Sequence, residues 1–174
     1  MSDSITVRVR SLEQTADLAA ALAGRLRRGD VICLDGELGA GKTAFVAALA
    51  RCLGASDAIT SPTFTLENRH QLSGPDPDGP SLLLHCDLYR PGEDARRDLL
   101  PAMLEARDEG AILAIEWASP VRDWLTPYLQ LEVELVTPDE GEVERSFSLR
   151  PVPEGWPGMD ALAREWRQVP EVSR

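Results

Sequence analysis

The sequence predicts an α/β fold, in which one three-layer domain is built on a mixed β-sheet. Short apolar runs, typical of buried parallel strands, alternate with longer amphipathic segments, typical of helices. Two later segments, 129–136 and 143–149, alternate apolar and polar residues around a polar turn at 138–141, which indicates an antiparallel hairpin. The chain has 174 residues, 43% of them hydrophobic, and this suits one compact domain with a core of its own.

The first two elements are predicted to be a strand and a helix. Residues 5–9 alternate apolar and polar side chains, which indicates a strand with one face open to solvent. Ser11, followed three residues later by Gln14, forms a capping box that predicts the start of a helix. The helix is expected to end at 27–29, where two arginines suit the C-terminal end of the helix dipole and a glycine follows.

A strand, a glycine-rich loop and a second helix follow in that order. Residues 31–34 are apolar and predict a buried strand, which runs directly into Gly36. A helix is expected from Lys42 to Leu53 and is stopped by Gly54. This succession is the structural context that a phosphate-binding loop requires.

The middle of the chain predicts three more strands and one helix. A strand is expected over 64–70, a buried strand over 82–87 and a further buried strand over 111–116. Residues 94–107 have a helical pattern, and Pro101 is expected to mark a break or a new start in this helix.

The chain is expected to divide into a main domain, 1–150, and a C-terminal tail, 151–174. After a Pro-rich start, the tail has apolar residues at near-helical spacing: Met159, Leu162, Trp166 and Val169. A short helix over 160–168 is therefore predicted to fold back on the domain, because a helix of this length is marginal in water without a surface for its apolar stripe. A partner-binding or disordered tail is the alternative.

Charge and composition disfavour several classes of protein. The net charge is −11, whereas a protein that grips nucleic acid usually has a basic patch, and here only Arg25, Arg27 and Arg28 form a small basic cluster. The three cysteines form no CxxC pair, so a zinc site is not expected. No apolar run reaches the roughly 18 residues of a membrane span, and the N-terminus lacks the features of a signal peptide. These observations predict a cytoplasmic protein without membrane contact.

Residues 36–43 match the GxxxxGK[ST] pattern of a phosphate-binding loop, or P-loop, in full. The residues predicted to bind ATP are Gly36, Glu37, Leu38, Gly39, Ala40, Gly41, Lys42 and Thr43. Glycines let successive backbone N–H groups point inward, and the following helix adds its positive dipole end. Lys42, the only lysine of the chain, is expected to contact the β- and γ-phosphates. The hydroxyl of Thr43 is expected to bind Mg²⁺.

A P-loop enzyme also needs a carboxylate at the end of a buried strand to hold Mg²⁺ or its water shell. Asp87 and Glu116 both end such strands, and the pattern alone does not rank them or distinguish them from ordinary solvated acids. Thr63 lies in a loop that is either a switch element with a hydroxyl for the γ-phosphate or metal, or a plain turn. His85 is interpreted as a packed strand residue rather than a general base.

Four motifs that occur in order carry a family resemblance. They are GELGAGKT at 36–43, SPTFTL at 61–66, HCDLYR at 85–90 and IEW at 115–117. Together they resemble the bacterial TsaE (YjeE) family, and the resemblance extends closely over 11–117. Four motifs in this order are far more specific than the P-loop by itself.

The resemblance implies a fold, an activity and partners. The fold would be a P-loop sheet of parallel strands flanked by antiparallel ones. TsaE proteins are the ATPases of tRNA threonylcarbamoyladenosine biosynthesis, and their partners are TsaD and TsaB. TsaD transfers a threonylcarbamoyl group to the adenosine that follows the anticodon. The TsaE-like subunit would hydrolyse ATP to drive or reset that complex, and would meet tRNA only indirectly through it.

The resemblance also implies roles for single residues. Thr43 and Glu116 would ligate Mg²⁺, and Asp87 would be a further essential acid near the γ-phosphate. With Lys42, Asp87 and the switch-loop residue Thr63 make up the implied catalytic set.

Ser11 and Thr15 match the family's N-terminal segment, which lies near the nucleotide. The sequence departs from the family pattern at Cys86, where a bulkier apolar residue is usual, at Ala118, where proline is common, and at Pro91, where an aliphatic residue is usual. None of these departures removes a reactive group.

Three other functions use the same loop. In a small-molecule kinase, Arg90, Arg96 and Arg97 would form a phosphate-clamping lid, although nothing marks an acceptor pocket. A GTPase usually has an Asn-Lys-x-Asp motif, which is absent because the one lysine stands in the P-loop. A nucleotide-binding structural subunit without turnover remains open.

Overall fold

The fold is described by a computed structural model for residues 4–62, 64–74, 76–89, 93–136 and 143–169. The strands are β1 (Ile5–Val9), β2 (Val31–Asp35), β3 (Glu67–Gln71), β4 (Leu82–Asp87), β5 (Ile112–Glu116), β6 (Tyr128–Val136) and β7 (Glu144–Val152). The helices are α1 (Leu12–Ala23), α2 (Lys42–Cys52), α3 (Glu93–Asp108) and α4 (Met159–Trp166), with a short 3-10 helix over Arg122–Leu125.

The strands of the described residues form one seven-stranded sheet in the order β1-β7-β6-β2-β5-β4-β3. Its four central strands, β6, β2, β5 and β4, pair in parallel. β7 and β1 add to one side, and β3 adds to the other, in antiparallel pairs. The predicted mixed sheet with a parallel centre and antiparallel flanks is confirmed.

Both faces of the sheet are covered, which makes the architecture three-layered. Alternate strand residues point to opposite faces, so Ile32 and Leu34 join a core cluster that includes side chains of α1, α2 and α4. Cys33, in contrast, joins a second cluster with Met103 and Ala106 of α3. By the same alternation, the acids that end β4 and β5, Asp87 and Glu116, lie on the face of the sheet that α2 covers.

Helix α1 ends earlier than predicted. It stops at Ala23 with Gly24 as its C-cap, whereas the arginines and glycine at 27–29 had indicated the end. Glycine is a weak helix former, and the chain turns after it with Arg25 and Leu26 both donating backbone hydrogen bonds to the carbonyl of Leu22.

Two further boundaries differ from the pattern-based predictions. Strand β3 begins only at Glu67, because Leu66 has a left-handed backbone with φ of 66° that interrupts an extended chain. Pro101 lies inside an unbroken α3. The proline is on the exposed side of the helix, while Met103 and Ala106 on the other side are buried against the sheet and hold the helix in place.

The C-terminal segment packs on the N-terminal helix. β7 continues to Val152, past the expected boundary at 150, and α4 then lies against α1 and β1. Trp166 is fully buried and donates its indole N–H to the carbonyl of Leu18 at 3.1 Å. Glu165 pairs with Arg25 at 2.6 Å. None of the helices described is both long enough and apolar enough to cross a membrane.

Candidate functional site

The glycine-rich loop connects the end of β2 to the start of α2 at the carboxyl edge of the parallel strands. Gly36 leaves β2 with a positive φ of 147°, and a Cβ atom there would lie 2.1 Å from the carbonyl oxygen of Val133 on β6. No side chain fits this approach, so the first glycine of the motif is required by the packing of the loop on the sheet.

The loop leaves the N-terminus of α2 open. Gly41 is the N-cap in a left-handed conformation, and no side chain in the described part of the chain caps the first turn. The free N–H groups of this turn, with the positive end of the helix dipole, form a site for an anion. From β7, Arg145 donates its Nε–H to the carbonyl of Ala40 at 3.0 Å and thereby supports the loop from outside.

Lys42 lies over the loop, with only 4% of the residue exposed. Its ammonium group donates to the carbonyl of Gly36 at 2.7 Å and to that of Glu37 at 2.9 Å. It also lies 4.2 Å from the ring centroid of Trp117, a cation–π distance. Burial lowers the pKa of Lys42, and the nearby carboxylates of Glu116 and Asp87 act in the opposite direction.

The two strand-end acids are side by side, because β4 and β5 are neighbours and Asp87 is in register with Glu116. The hydroxyl of Thr43, at the start of α2, donates to Oε1 of Glu116 at 2.8 Å. His85 lies 2.9 Å from the same oxygen through its Nε2. Glu116 is therefore joined to the P-loop helix on one side and to β4 on the other.

Asp87 has different neighbours. Its Oδ1 accepts the backbone N–H of Tyr89 at 3.0 Å, and its Oδ2 accepts the hydroxyl of Ser61 at 3.4 Å. The ring of Tyr89 lies 4.8 Å from that of Trp117, which itself has a left-handed backbone with φ of 58°. Asp87 is thus held by the segments around the cleft rather than by α2.

These groups surround one open cleft of about 200 Å³. Its lining residues are Leu38, Gly39, Gly41, Lys42, Thr43, Ala44, Ser61, Asp87, Tyr89, Glu116 and Trp117. An ammonium, a hydroxyl and two carboxylates therefore converge where the helix dipole is positive. This combination can bind an anionic ligand together with a divalent cation.

Five of the predicted site residues that the structure describes are not among the residues that line the cleft: Ser11, Thr15, Gly36, Glu37 and Ala40. Ser11 caps α1 by accepting the backbone N–H of Gln14 at 3.1 Å, and the hydroxyl of Thr15 donates to the carbonyl of Ser11 at 3.1 Å. Both side chains are thus used within α1, and their place near a nucleotide stays a prediction. Thr63 lies outside the described residues, as does Arg90.

Sequence reasoning missed or underrated three residues. His85 is a packed strand residue, as the sequence predicts, but its position two residues before Asp87, on the same face of β4, also indicated a place beside the strand-end acids. Trp117 entered only as the last residue of the IEW motif, although its ring contacts that of Tyr89 and lies over the ammonium group of Lys42. Arg145 had no local signal at all, because its contact with the loop depends on the position of β7 in the sheet.

The residues present fit a nucleotide with a bound magnesium ion. The uncapped first turn of α2 and the single lysine suit phosphate oxygens. Mg²⁺ prefers oxygen ligands and usually keeps one or two protein ligands beside waters and substrate phosphates, which matches the hydroxyl of Thr43 and the carboxylate of Glu116. The described residues contain no cluster of three or more His, Cys, Asp or Glu side chains for a metal.

Comparisons with known proteins identify the family to which this chain is similar. A family model described as threonylcarbamoyl adenosine biosynthesis protein TsaE matches residues 9–147. A relative from Streptomyces coelicolor, named tRNA threonylcarbamoyladenosine biosynthesis protein TsaE, is 35% identical over 147 residues, which is 83% of this chain and 95% of the relative. A relative of the same name from Bacillus subtilis is 34% identical over 78% of this chain and 80% of its own.

Two more comparisons extend the likeness. The relative of the same name from Aquifex aeolicus is 40% identical over 63% of this chain and 73% of its own length. The crystal structure of Bacillus subtilis YdiB superposes with a TM-score of 0.69 and 26% identity, over 97% of each chain. The likeness in sequence and the likeness in fold therefore both cover the part of the chain that contains the cleft.

Proposed function

This chain belongs to the TsaE family of threonylcarbamoyl adenosine biosynthesis proteins. We therefore propose that it hydrolyses ATP and that this hydrolysis is required for the threonylcarbamoyladenosine modification of tRNA. The single observation that supports this most strongly is the convergence of Lys42, Thr43, Asp87 and Glu116 on one cleft at the N-terminus of α2. A small-molecule kinase is not favoured, since the comparisons match proteins of tRNA modification.

The P-loop would hold the phosphates of ATP. The N–H groups of the loop and of the first turn of α2 would bind phosphate oxygens, and Lys42 would move from the carbonyls of Gly36 and Glu37 to the β- and γ-phosphates. Its low exposure places this charge where little water screens it, which strengthens the interaction.

Thr43 and Glu116 would hold Mg²⁺ by exchanging their mutual hydrogen bond for bonds to the ion. The ion, when bound, supplies positive charge that offsets the developing negative charge on the phosphates. Asp87, one strand further along the sheet edge, would accept a proton from the attacking water at one of its carboxylate oxygens, or orient that water.

The roles proposed for Thr63, Ser11 and Thr15 rest on the motif match alone. Thr63 would act from the loop that also contains Ser61, whose hydroxyl contacts Asp87. Ser11 and Thr15 would lie near the nucleotide at the start of α1. From the packing of α4 on α1 and β1, we further propose that 1–150 forms the ATPase domain, whose strand β7 extends two residues past this boundary, and that 151–174 is a tail that stabilises the domain through α4.

The proposed partners are TsaB and TsaD. An acidic protein with a net charge of −11 is poorly suited to hold tRNA by phosphate neutralisation, so the coupling of ATP hydrolysis to tRNA would pass through these subunits in the cytoplasm. ATP hydrolysis would drive or reset the complex of TsaB and TsaD, without making the modification itself.

The test measures phosphate release from ATP by the purified chain, alone and with TsaB and TsaD, beside a Lys42→Ala variant. We expect slow phosphate release by the wild type alone and faster release in the complex. Lys42→Ala should lose nearly all of this activity, because removal of one preorganised charge contact in a site of this kind costs about 3 kcal/mol of transition-state stabilisation. Turnover of Lys42→Ala within twofold of the wild type would contradict the P-loop mechanism. A phosphorylated small-molecule product would favour a kinase.

A further inference from the structure

His85 contacts the proposed metal ligand from inside the sheet. It lies on β4, has no exposed surface, and is not among the residues that line the cleft. Its Nε2 is 2.9 Å from Oε1 of Glu116, whose side chain is itself only 4% exposed. A group buried in this way does not reach a ligand in the cleft and acts only through Glu116.

The direction of this hydrogen bond follows from the chemistry of its two partners. A carboxylate oxygen accepts hydrogen bonds, so Nε2 of His85 carries the proton and donates it. The other ring nitrogen, Nδ1, is buried without a hydrogen-bond partner among the described residues. A proton on Nδ1 would be an unsatisfied buried donor, and this favours the tautomer with the proton on Nε2.

Two donors from different elements converge on one oxygen of Glu116. Thr43 donates from the start of α2 at 2.8 Å and His85 donates from β4 at 2.9 Å, both to Oε1. The second oxygen, Oε2, takes part in neither bond. If Thr43 turned to a metal ion, the bond from His85 would be the one that, among the described residues, still holds the orientation of the carboxylate.

We propose that His85 is a positioning residue, which fixes the carboxylate of Glu116 so that it meets the metal ion in the correct orientation. The inference rests on the proposed function, because it takes Thr43 and Glu116 as the metal ligands. Hydrogen-bond partners behind metal ligands fix the orientation of those ligands, and loss of such a partner typically weakens metal binding by about 10- to 100-fold.

The first experiment titrates Mg²⁺ against the binding of a fluorescent ATP analogue. The variants are His85→Leu, which removes the donor at similar size, and His85→Gln, whose side-chain amide restores an N–H near the position of Nε2. His70→Leu is the matched control. His70 is the other histidine of the chain, is 5% exposed and does not line the cleft, and it also has a buried ring nitrogen without a hydrogen-bond partner among the described residues.

We expect His85→Leu to raise the Mg²⁺ concentration for half-maximal binding roughly tenfold or more, while His85→Gln stays within about threefold of the wild type. His70→Leu should match the wild type. If His85→Leu matches the wild type, or if His85→Gln is as weak as His85→Leu, the positioning role is wrong. Wild-type binding of nucleotide without any dependence on Mg²⁺ would instead overturn the proposed metal site.

The second experiment needs neither nucleotide nor metal, and it remains decisive if His85→Leu does not fold. Nitrogen-15 NMR of the imidazole rings distinguishes the two tautomers, and the spectrum of His70→Leu assigns the two histidines. We expect His85 to be protonated at Nε2, with a resonance that moves in Glu116→Gln, because the charged acceptor is replaced by a neutral one. Protonation at Nδ1 alone, or an unchanged resonance in Glu116→Gln, would overturn the proposal.

Discussion

At the residue scale, the two strand-end acids differ in what binds them. Glu116 accepts hydrogen bonds from Thr43 and His85, which ties it to the P-loop helix. Asp87 accepts bonds from Ser61 and from the backbone of Tyr89, which ties it to the segments around the mouth of the cleft. The pattern of the sequence does not rank these acids, but their surroundings favour metal binding by the first and a role in turnover for the second.

This difference predicts that two isosteric substitutions affect different quantities, metal-dependent binding in one case and turnover in the other. Glu116→Gln should raise the Mg²⁺ concentration for half-maximal nucleotide binding, because a neutral amide oxygen is a weaker ligand for a hard cation than a carboxylate. Asp87→Asn should leave nucleotide binding close to the wild type and lower kcat by about 10²- to 10⁴-fold, the usual contribution of a positioned acid or base. Magnesium titrations beside steady-state rates make the comparison. If only Asp87→Asn abolishes the metal dependence, the two roles are reversed.

Gly36 and Gly39 offer a matched pair of residue-scale tests of the loop. Both have positive φ, but a Cβ at Gly36 would lie 2.1 Å from the carbonyl oxygen of Val133, whereas a Cβ at Gly39 meets no atom of the described residues within 4 Å. Gly39→Ala should therefore cost about 1 kcal/mol of unfolding free energy from backbone strain alone, and Gly36→Ala clearly more. Urea unfolding measures both. Equal losses of unfolding free energy in the two variants would mean that the backbone of β6 shifts to make room for the methyl group added at Gly36.

At the element scale, α4 attaches the C-terminal segment to α1. Trp166, Leu162 and Met159 are buried on the α1 side of the sheet. The short helix is marginal alone, so its stability comes from this contact. The apolar stripe is used within the chain, which argues against a role for its buried residues in partner binding.

We therefore expect Trp166→Ala to lower the free energy of unfolding by about 3 to 5 kcal/mol, since it empties a fully buried site and removes the hydrogen bond to Leu18. Nucleotide binding, measured well below the melting temperature, should persist. Trp124→Ala is the control, because Trp124 is 62% exposed and its loss should change stability by less than about 0.5 kcal/mol. A stable Trp166→Ala protein that no longer binds TsaB and TsaD would show instead that α4 serves an interface.

At the scale of the whole molecule, charge and architecture have separate consequences. Parallel pairing aligns the ends of β2, β5 and β4 and so brings the P-loop and both acids to one edge of the sheet. The net charge of −11, in contrast, sets how the molecule meets other macromolecules. A negative surface repels the phosphates of nucleic acid at long range.

The charge predicts that the lone chain does not retain tRNA at about 150 mM salt, because strong binding depends on the neutralisation of phosphates by basic side chains. Filter binding or gel shift with labelled tRNA tests this, first with the chain alone and then with TsaB and TsaD added. Retention only in the presence of these partners is the expected result. Tight binding by the lone chain at this salt concentration would contradict the indirect contact with tRNA.

The sequence by itself determined the features that depend on neighbouring residues. The P-loop is one such feature, because its eight residues and the strand and helix on either side are contiguous in the chain. The parallel centre, the hairpin and the presence of acids at strand ends also follow from local periodicity, and the four ordered motifs were sufficient to identify the family.

Only the tertiary structure decided which distant residues meet. The hydrogen bond from Thr43 to Glu116 requires β5 beside β2, and that of His85 to Glu116 requires β4 beside β5. The contact of Arg145 with Ala40 likewise depends on where β7 joins the sheet. Local periodicity predicts that a residue is on a strand and which face it shares, but strand order depends on the packing of the whole chain, and the functional neighbours of a buried side chain depend on strand order.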